Sequence, residues 1–133
     1  MNAKLILHIE DNPSNRKALR HILRMTNYRL VEAVDGQEGM DMLEKETPDL
    51  ILTDIQLPRL SGYDVTKLIK ADPRFRHIPV VAVTSYGLSG DDRKALEVGC
   101  DDYVSKPYRP QVLLERLEKF LGVDRKTPGE ASP

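Results

Sequence analysis

The chain has 133 residues, 20 of them basic and 21 acidic, with 40% hydrophobic and 31% charged positions. That length supports one domain with a real core, the balanced charge gives no global pull toward a polyanion, and the short apolar runs fall far below the ~20 residues that cross a bilayer. The N-terminus enters KLILHI without a small-residue cleavage site, so no secretory leader is expected; the single Cys100 excludes an internal disulfide and suits a reducing cytoplasm.

Short apolar runs alternate with longer helical patterns. KLILHI (4–9) reads as a first strand. Asn12 offers an N-cap and Pro13 a first helical residue, so a helix is expected from there to about Thr26. YRLVEA (28–33) is a second strand, and Asp35-Gly36 leads into a helix from about Gln37 to Lys45, closed by Pro48. LILT (50–53) lacks alternation, as expected of a strand buried on both faces. After Ser61 a helix carries Val65, Leu68 and Ile69 on one side and ends before Pro73. VVAVT (80–84) is the fourth strand, a helix spans roughly Ser89 to Val98, and DYVS (102–105) is the fifth strand. The last helix, PQVLLERLEKFL (110–121), presents Val112, Leu113, Leu117, Phe120 and Leu121 as its inner stripe. Strands alternating with helices predict an α/β fold, a doubly wound five-stranded parallel sheet flanked by five helices. The unit is expected over residues 1–122, and the polar, aperiodic segment 123–133 is expected to be a disordered tail.

The polar residues of interest collect after strands. Glu10 and Asp11 follow the first, Asp54 the third, Thr84 ends the fourth, and Lys106 follows the fifth. Open parallel sheets bind ligands outside the carboxyl ends of their strands, where strand order reverses. If strands one and three flank that point, Glu10, Asp11 and Asp54 converge, and three adjacent carboxylates stay ionised together only beside a cation. All-oxygen ligation suits a hard ion, Mg²⁺ first, which keeps waters and accepts a phosphoryl oxygen. Lys106 adds a positive charge, Thr84 a hydroxyl, and Asp54 the nucleophile. Phosphoryl transfer needs mainly positioning and charge neutralisation, which this set offers.

HIEDN, LTDIQLPRLSG, VTSYG and GCDDYVSKP, in this order and spacing, resemble the motifs of the response-regulator receiver domain of two-component signalling. The resemblance covers about residues 3 to 121. It implies a flavodoxin-like sheet in the order 2-1-3-4-5. It implies a standalone response regulator that takes a phosphoryl group on Asp54 from a histidine kinase or histidine phosphotransfer protein. Asp11, Asp54 and the carbonyl of Gln56 would hold Mg²⁺, with Glu10 acting through water. Thr84 and Lys106 would bind the phosphoryl group, Tyr103 would be the aromatic switch, and the Lys106–Pro107 peptide would be cis. The expected protein is a signalling switch for a downstream effector protein, with a phosphorylation-dependent dimer as an option, and no enzyme beyond its own phosphorylation and dephosphorylation. A receiver module of a hybrid histidine kinase is the alternative.

Some residues read differently from the rest. Glu10 stands where the family often has aspartate, and its longer arm reaches as far. Tyr86, two residues beyond Thr84, is bulky enough to hinder an attacking water, so a long-lived phosphoryl group is expected; Ser85 is small enough to leave room for one. His8, His21 and His77 lack metal-ligand spacing, and His8 reads as a core or strand-face residue. On the first helix Arg16, Lys17, Arg20, His21 and Arg24 oppose Ala18, Leu19, Ile22, Leu23 and Met25. Such a face is solvated or, in a receiver, a docking surface for an acidic phosphodonor, with Arg16, Arg20 and Arg24 as the docking residues. A Mg²⁺-dependent aspartyl-phosphate phosphatase needs an acid two residues after its nucleophile, and Gln56 cannot serve. A flavodoxin-like carrier needs hydroxyls and amides in its first loop, where EDNPSN offers two carboxylates. The eleven residues after Gly122 cannot form a helix-turn-helix, and no nucleic-acid partner is expected.

Overall fold

Five apolar runs become five parallel strands in one sheet: β1 (Leu5–Ile9), β2 (Arg29–Ala33), β3 (Leu50–Asp54), β4 (Val80–Thr84) and β5 (Asp102–Ser105), in the spatial order β2-β1-β3-β4-β5. Five helices connect and follow them: α1 (Pro13–Leu23), α2 (Gly36–Lys45), α3 (Gly62–Ala71), α4 (Asp91–Glu97) and α5 (Pro110–Leu121). This computed structural model describes residues 3–84 and 91–126, and their side chains apart from those of residues 91 and 92. Ser85, Tyr86 and the expected helix start at Ser89 therefore lie outside the described residues, as does 127–133.

Local chemistry fixes the helix starts. The Asn12 side chain accepts from the backbone N–H groups of Ser14 and Asn15, and Pro13 occupies the first turn, where its missing N–H costs nothing. Ser61 and Asp64 form a reciprocal capping box at α3. The first helix stops at Leu23 rather than near Thr26, because the Thr26 hydroxyl and N–H both donate to the Leu23 carbonyl and close the last turn.

The sheet divides the core. On one face Leu7, Ile9 and Ile51 pack against Leu43, Val65, Ile69 and Ala95 of α2, α3 and α4. On the other, Ile6, Leu50, Leu52 and Val83 pack against Leu19 and Leu23 of α1 and Leu113, Leu117 and Leu121 of α5. β1 and β3 are buried along their whole length, which is why their sequences show no alternation. The inner stripe of α5 is rotated from its expected position: Leu114 is buried, Phe120 is half-buried and Val112 is exposed. Leu68, expected on the inner side of α3, is also exposed, since Val65, Thr66 and Ile69 fill that face.

Residues 123–126 differ from the expected disordered tail. They run antiparallel to the segment before β2, with Thr26 bridged to Arg125. Asn27 N–H donates to the Asp124 carbonyl, Lys126 N–H donates to the Met25 carbonyl, and Arg125 makes two bonds to Glu118. The Tyr28 hydroxyl also donates to the Gly122 carbonyl. Apart from Glu118, which is on the neighbouring helix α5, these partners lie at the other end of the chain, so no local pattern announces them.

An ionic cluster steadies the edge strand. The Asp102 carboxylate, buried at the start of β5, accepts from Arg116 at 2.9 Å and Lys119 at 2.9 Å on α5. Burial alone would raise its pKa, but those cations and the Tyr103 N–H hold it below the ordinary carboxylate value. A buried carboxylate stripped of partners is strongly destabilising, by about 3–5 kcal/mol for a fully buried pair. Because both cations here are half exposed, Arg116→Met is expected to lower stability by about 1 kcal/mol in urea melts.

Candidate active site at the strand ends

Parallel strands all end on the same side, so residues placed last on neighbouring strands must meet there. β1 delivers Glu10 and Asp11, and β3 delivers Asp54. One carboxylate oxygen from each lies within 4.8 Å of the others. Glu10 and Asp54 are buried, at 2% and 6% exposure, while Asp11 faces solvent. The sheet has brought Asp54 against an adjacent acidic pair that precedes it by more than forty positions.

Lys106 lies across two of them. Its Nζ is 2.9 Å from Asp54 Oδ2 and 3.4 Å from Glu10 Oε1. It is aimed there by its backbone N–H, which donates to the Thr84 carbonyl at 2.9 Å, and it precedes the cis peptide expected at Lys106–Pro107. Burial alone would lower the Lys106 pKa, but the hydrogen bond and the charge of Asp54, then Glu10, raise it above its usual value. Glu10 moves up as well, through burial first and repulsion by Asp54 second. The part of that rise due to Asp54 reflects two acids sharing one pocket.

Asp54 is held from below and in front. The Gln56 N–H donates to Asp54 Oδ1 at 3.1 Å, and Ile55 N–H continues the ladder to the Val83 carbonyl. Asp54 Oδ2 faces Lys106. Gln56 is exposed at the mouth. Glu10 is more tightly bound than its expected role through water suggests: its Oε2 accepts from Asn12 N–H at 3.2 Å and its Oε1 from Lys106.

Thr84 is buried on β4, one residue past the Val83 that stands opposite Asp54. Its hydroxyl lies 3.2 Å from the hydroxyl of Ser105, its register partner on β5. Sequence reasoning missed Ser105 because its link to Thr84 exists only through strand pairing. Tyr103 is half-buried on β5, opposite Ala82, and packs partly against the α2–α3–α4 side of the core. Beside it a surface hollow of about 390 Å³ is lined by Ser105, Pro107, Val112 and Arg116 among others.

The basic face of α1 is only partly available to a partner. Arg16 Nη1 donates to the Glu10 carbonyl at 3.0 Å, and Arg20 pairs with Glu32 on β2 at 2.7 Å. Lys17 and Arg24 are exposed and make no ion pair among the described residues. Beside them Ala18, His21, Ile22, Pro107, Tyr108 and Pro110 line a largely apolar groove of about 700 Å³ that reaches Lys106.

The all-oxygen donor set, with two acids buried and one open to water, fits a hard divalent ion that retains waters. Three carboxylates and one ammonium leave the charge that a single such ion cancels. When bound, Mg²⁺ would supply charge neutralisation for an incoming phosphoryl group. Among the described residues no helix is long and apolar enough to cross a membrane.

Comparison with known proteins agrees with this geometry. The family model for the response regulator receiver domain matches residues 6–118. The polar-differentiation response regulator DivK of Brucella anthropi is 40% identical over 119 residues, covering 90% of this chain and 97% of that protein. The receiver domain of the sensor histidine kinase PA1611 from Pseudomonas aeruginosa, solved with a magnesium ion coordinated in its active site cleft, superposes with a TM-score of 0.83. It is 35% identical and covers 91% of this chain and 99% of that one. The yeast pair of the histidine phosphotransfer protein Ypd1 and the receiver domain of its downstream response regulator Ssk1 matches with a TM-score of 0.82 at 27% identity, covering 97% of this chain and 96% of that one.

Proposed function

Since the chain belongs to the response-regulator receiver family, we propose that Asp54 is its phosphoryl acceptor and that Mg²⁺, held by Glu10, Asp11, Asp54 and the Gln56 carbonyl, is required for the transfer. The observation that carries this is the 2.9 Å bond from Lys106 to Asp54 inside the three-acid pocket. Asp54 Oδ attacks the donor phosphorus, and the bond from phosphorus to the donor's histidine nitrogen breaks. Lys106 shields the charge that builds on the transferred oxygens. After transfer the Thr84 hydroxyl leaves Ser105 for a phosphoryl oxygen, and Tyr103 turns into the space. This is a population shift driven by one new set of hydrogen bonds.

The donor is a histidine kinase or a histidine phosphotransfer protein, as in the yeast pair. It docks over α1 and the groove beside it, with Arg24 and the outer parts of Arg16 and Arg20 facing an acidic surface. The changed face around α4, β5 and α5 serves a downstream effector protein or a phosphorylation-dependent dimer. The protein catalyses only its own phosphorylation and dephosphorylation, in a cytoplasmic phosphorelay.

The test is intact mass after incubation with acetyl phosphate. Wild type is expected to gain one phosphoryl group with Mg²⁺ and none after chelation, and Asp54→Asn none in either condition. Equal labelling of Asp54→Asn would overturn the assignment.

A further inference from the structure

Arg16 belongs to the basic face of α1, yet its guanidinium turns toward the acidic loop. Nη1 donates to the Glu10 carbonyl at 3.0 Å, and the side chain is half-buried. Every polar atom of Glu10 is then occupied. Its N–H bonds the Ala33 carbonyl at 2.9 Å, Oε1 meets Lys106, Oε2 accepts from Asn12 N–H, and the carbonyl accepts from Arg16. Glu10 is 2% exposed, so without Arg16 its carbonyl would be a buried acceptor lacking a donor, a state proteins avoid. The peptide so fixed is the one that joins Glu10 to Asp11. Arg16 also bonds back to this loop through its own N–H, which donates to the Asn12 carbonyl at 3.1 Å. That backbone bond belongs to the first turn of α1 and survives any side-chain change, so the guanidinium bond to the Glu10 carbonyl is what the Arg16 side chain adds.

We propose that Arg16 is a positioning residue for the metal site: it holds the Glu10–Asp11 peptide so that both carboxylates stay aimed at the ion. This deepens the functional reading above and rests on it. The sign of the effect separates this role from simple electrostatics. A cation near a divalent site repels the ion, so removing the charge alone would tighten binding. Removing a positioning bond loosens it, and losing such an outer partner typically weakens metal binding about 10–100-fold.

The experiment is calorimetric titration of Mg²⁺ into wild type, Arg16→Met, Arg16→Lys and Lys17→Met, with thermal melts of each. Lys17 is the neighbouring exposed cation and controls for net charge. The expected result is Mg²⁺ binding weakened about tenfold in Arg16→Met, largely restored in Arg16→Lys, and unchanged in Lys17→Met. Labelling by acetyl phosphate should fall in Arg16→Met at limiting Mg²⁺ and recover at saturation, which a pure docking residue would not show. Unchanged or tighter binding in a folded Arg16→Met would overturn the proposal while leaving Asp54 as acceptor. If Arg16→Met does not fold, unweakened binding in Arg16→Cys, or an Arg16→Lys as weak as an unrelated destabilised variant, overturns it equally. Wild type that binds no Mg²⁺ and gains no phosphoryl group would instead remove the functional reading beneath it.

Discussion

Gly62→Ala is expected to destabilise the protein by about 3 kcal/mol or more, at the upper end of overpacking effects, and to abolish labelling of Asp54. Gly62 opens α3, where its N–H donates to the Ile55 carbonyl at 2.9 Å. A Cβ at this position would lie 2.2 Å from the Asp54 carbonyl oxygen and 2.8 Å from Ile55 Cα. Both are backbone atoms of the strand end that carries the nucleophile, and no rotamer change can move them aside. Relief requires α3 to lift away or Asp54 to shift, and a displacement near 1 Å already costs on the order of 100-fold in a positioned reaction. Urea denaturation gives the stability change and intact mass gives the labelling. A loss below about 1 kcal/mol with normal phosphorylation would show that the two loops yield far more easily than their contacts indicate.

His8 sets the second large effect. It sits mid-strand in β1 between Glu32 and Leu52, on the α1–α5 side of the sheet, and its Nδ1 is buried without a hydrogen-bond partner among the described residues. Burial, then the charges of Lys106, Arg16 and Arg20, lower its pKa from 6.5 to about 3. Between those values the unfolded chain binds a proton that the folded one refuses, so stability falls as pH drops through the window. At about 1.4 kcal/mol per pH unit the loss approaches about 4 kcal/mol near its lower end. Asp102, lowered by its cations, contributes stability that is complete above the unfolded carboxylate value and gone below the folded one, so its loss has the same sign at more acid pH. Glu10, raised by burial and by Asp54, works the other way and relieves repulsion as it protonates. His8→Leu leaves both of those in place. Its stability at pH 7 should be no lower than wild type, and its decline between pH 6.5 and 4 should be much shallower. Parallel curves for the two proteins would mean that His8 takes up its proton inside the fold.

Much of the site was legible because chemistry-bearing residues followed short strand patterns, continuous and apolar in LILT and mixed in DYVS. Asp54 after LIL and Lys106 after DYVS could be placed at strand ends, and parallel connection then required them to converge. Asn12 with Pro13, and Ser61 before α3, announced their helix starts through residues suited to short-range capping. What stayed hidden depends on distant partners. Arg16 could be put on a helix face but not turned toward the Glu10 carbonyl, and the Thr84–Ser105 pair needed the register of β4 against β5. Segment 123–126 looks like a tail until residues 25–27 offer it backbone partners. Val112 and Leu68 failed for a different reason: they lie at the margin of an apolar stripe, where the neighbouring element decides what is covered.

The ends of the described chain also bear on how the protein can be handled. The Ala3 carbonyl accepts from Arg29 at the start of β2, and Arg125 is bridged to Thr26 just ahead of it. Both lie at the pole where the strands begin, a full strand length from the carboxylates. A dye or a surface tether attached at Ala3 or Lys126 would sit at that far pole, away from the acceptor's doorway.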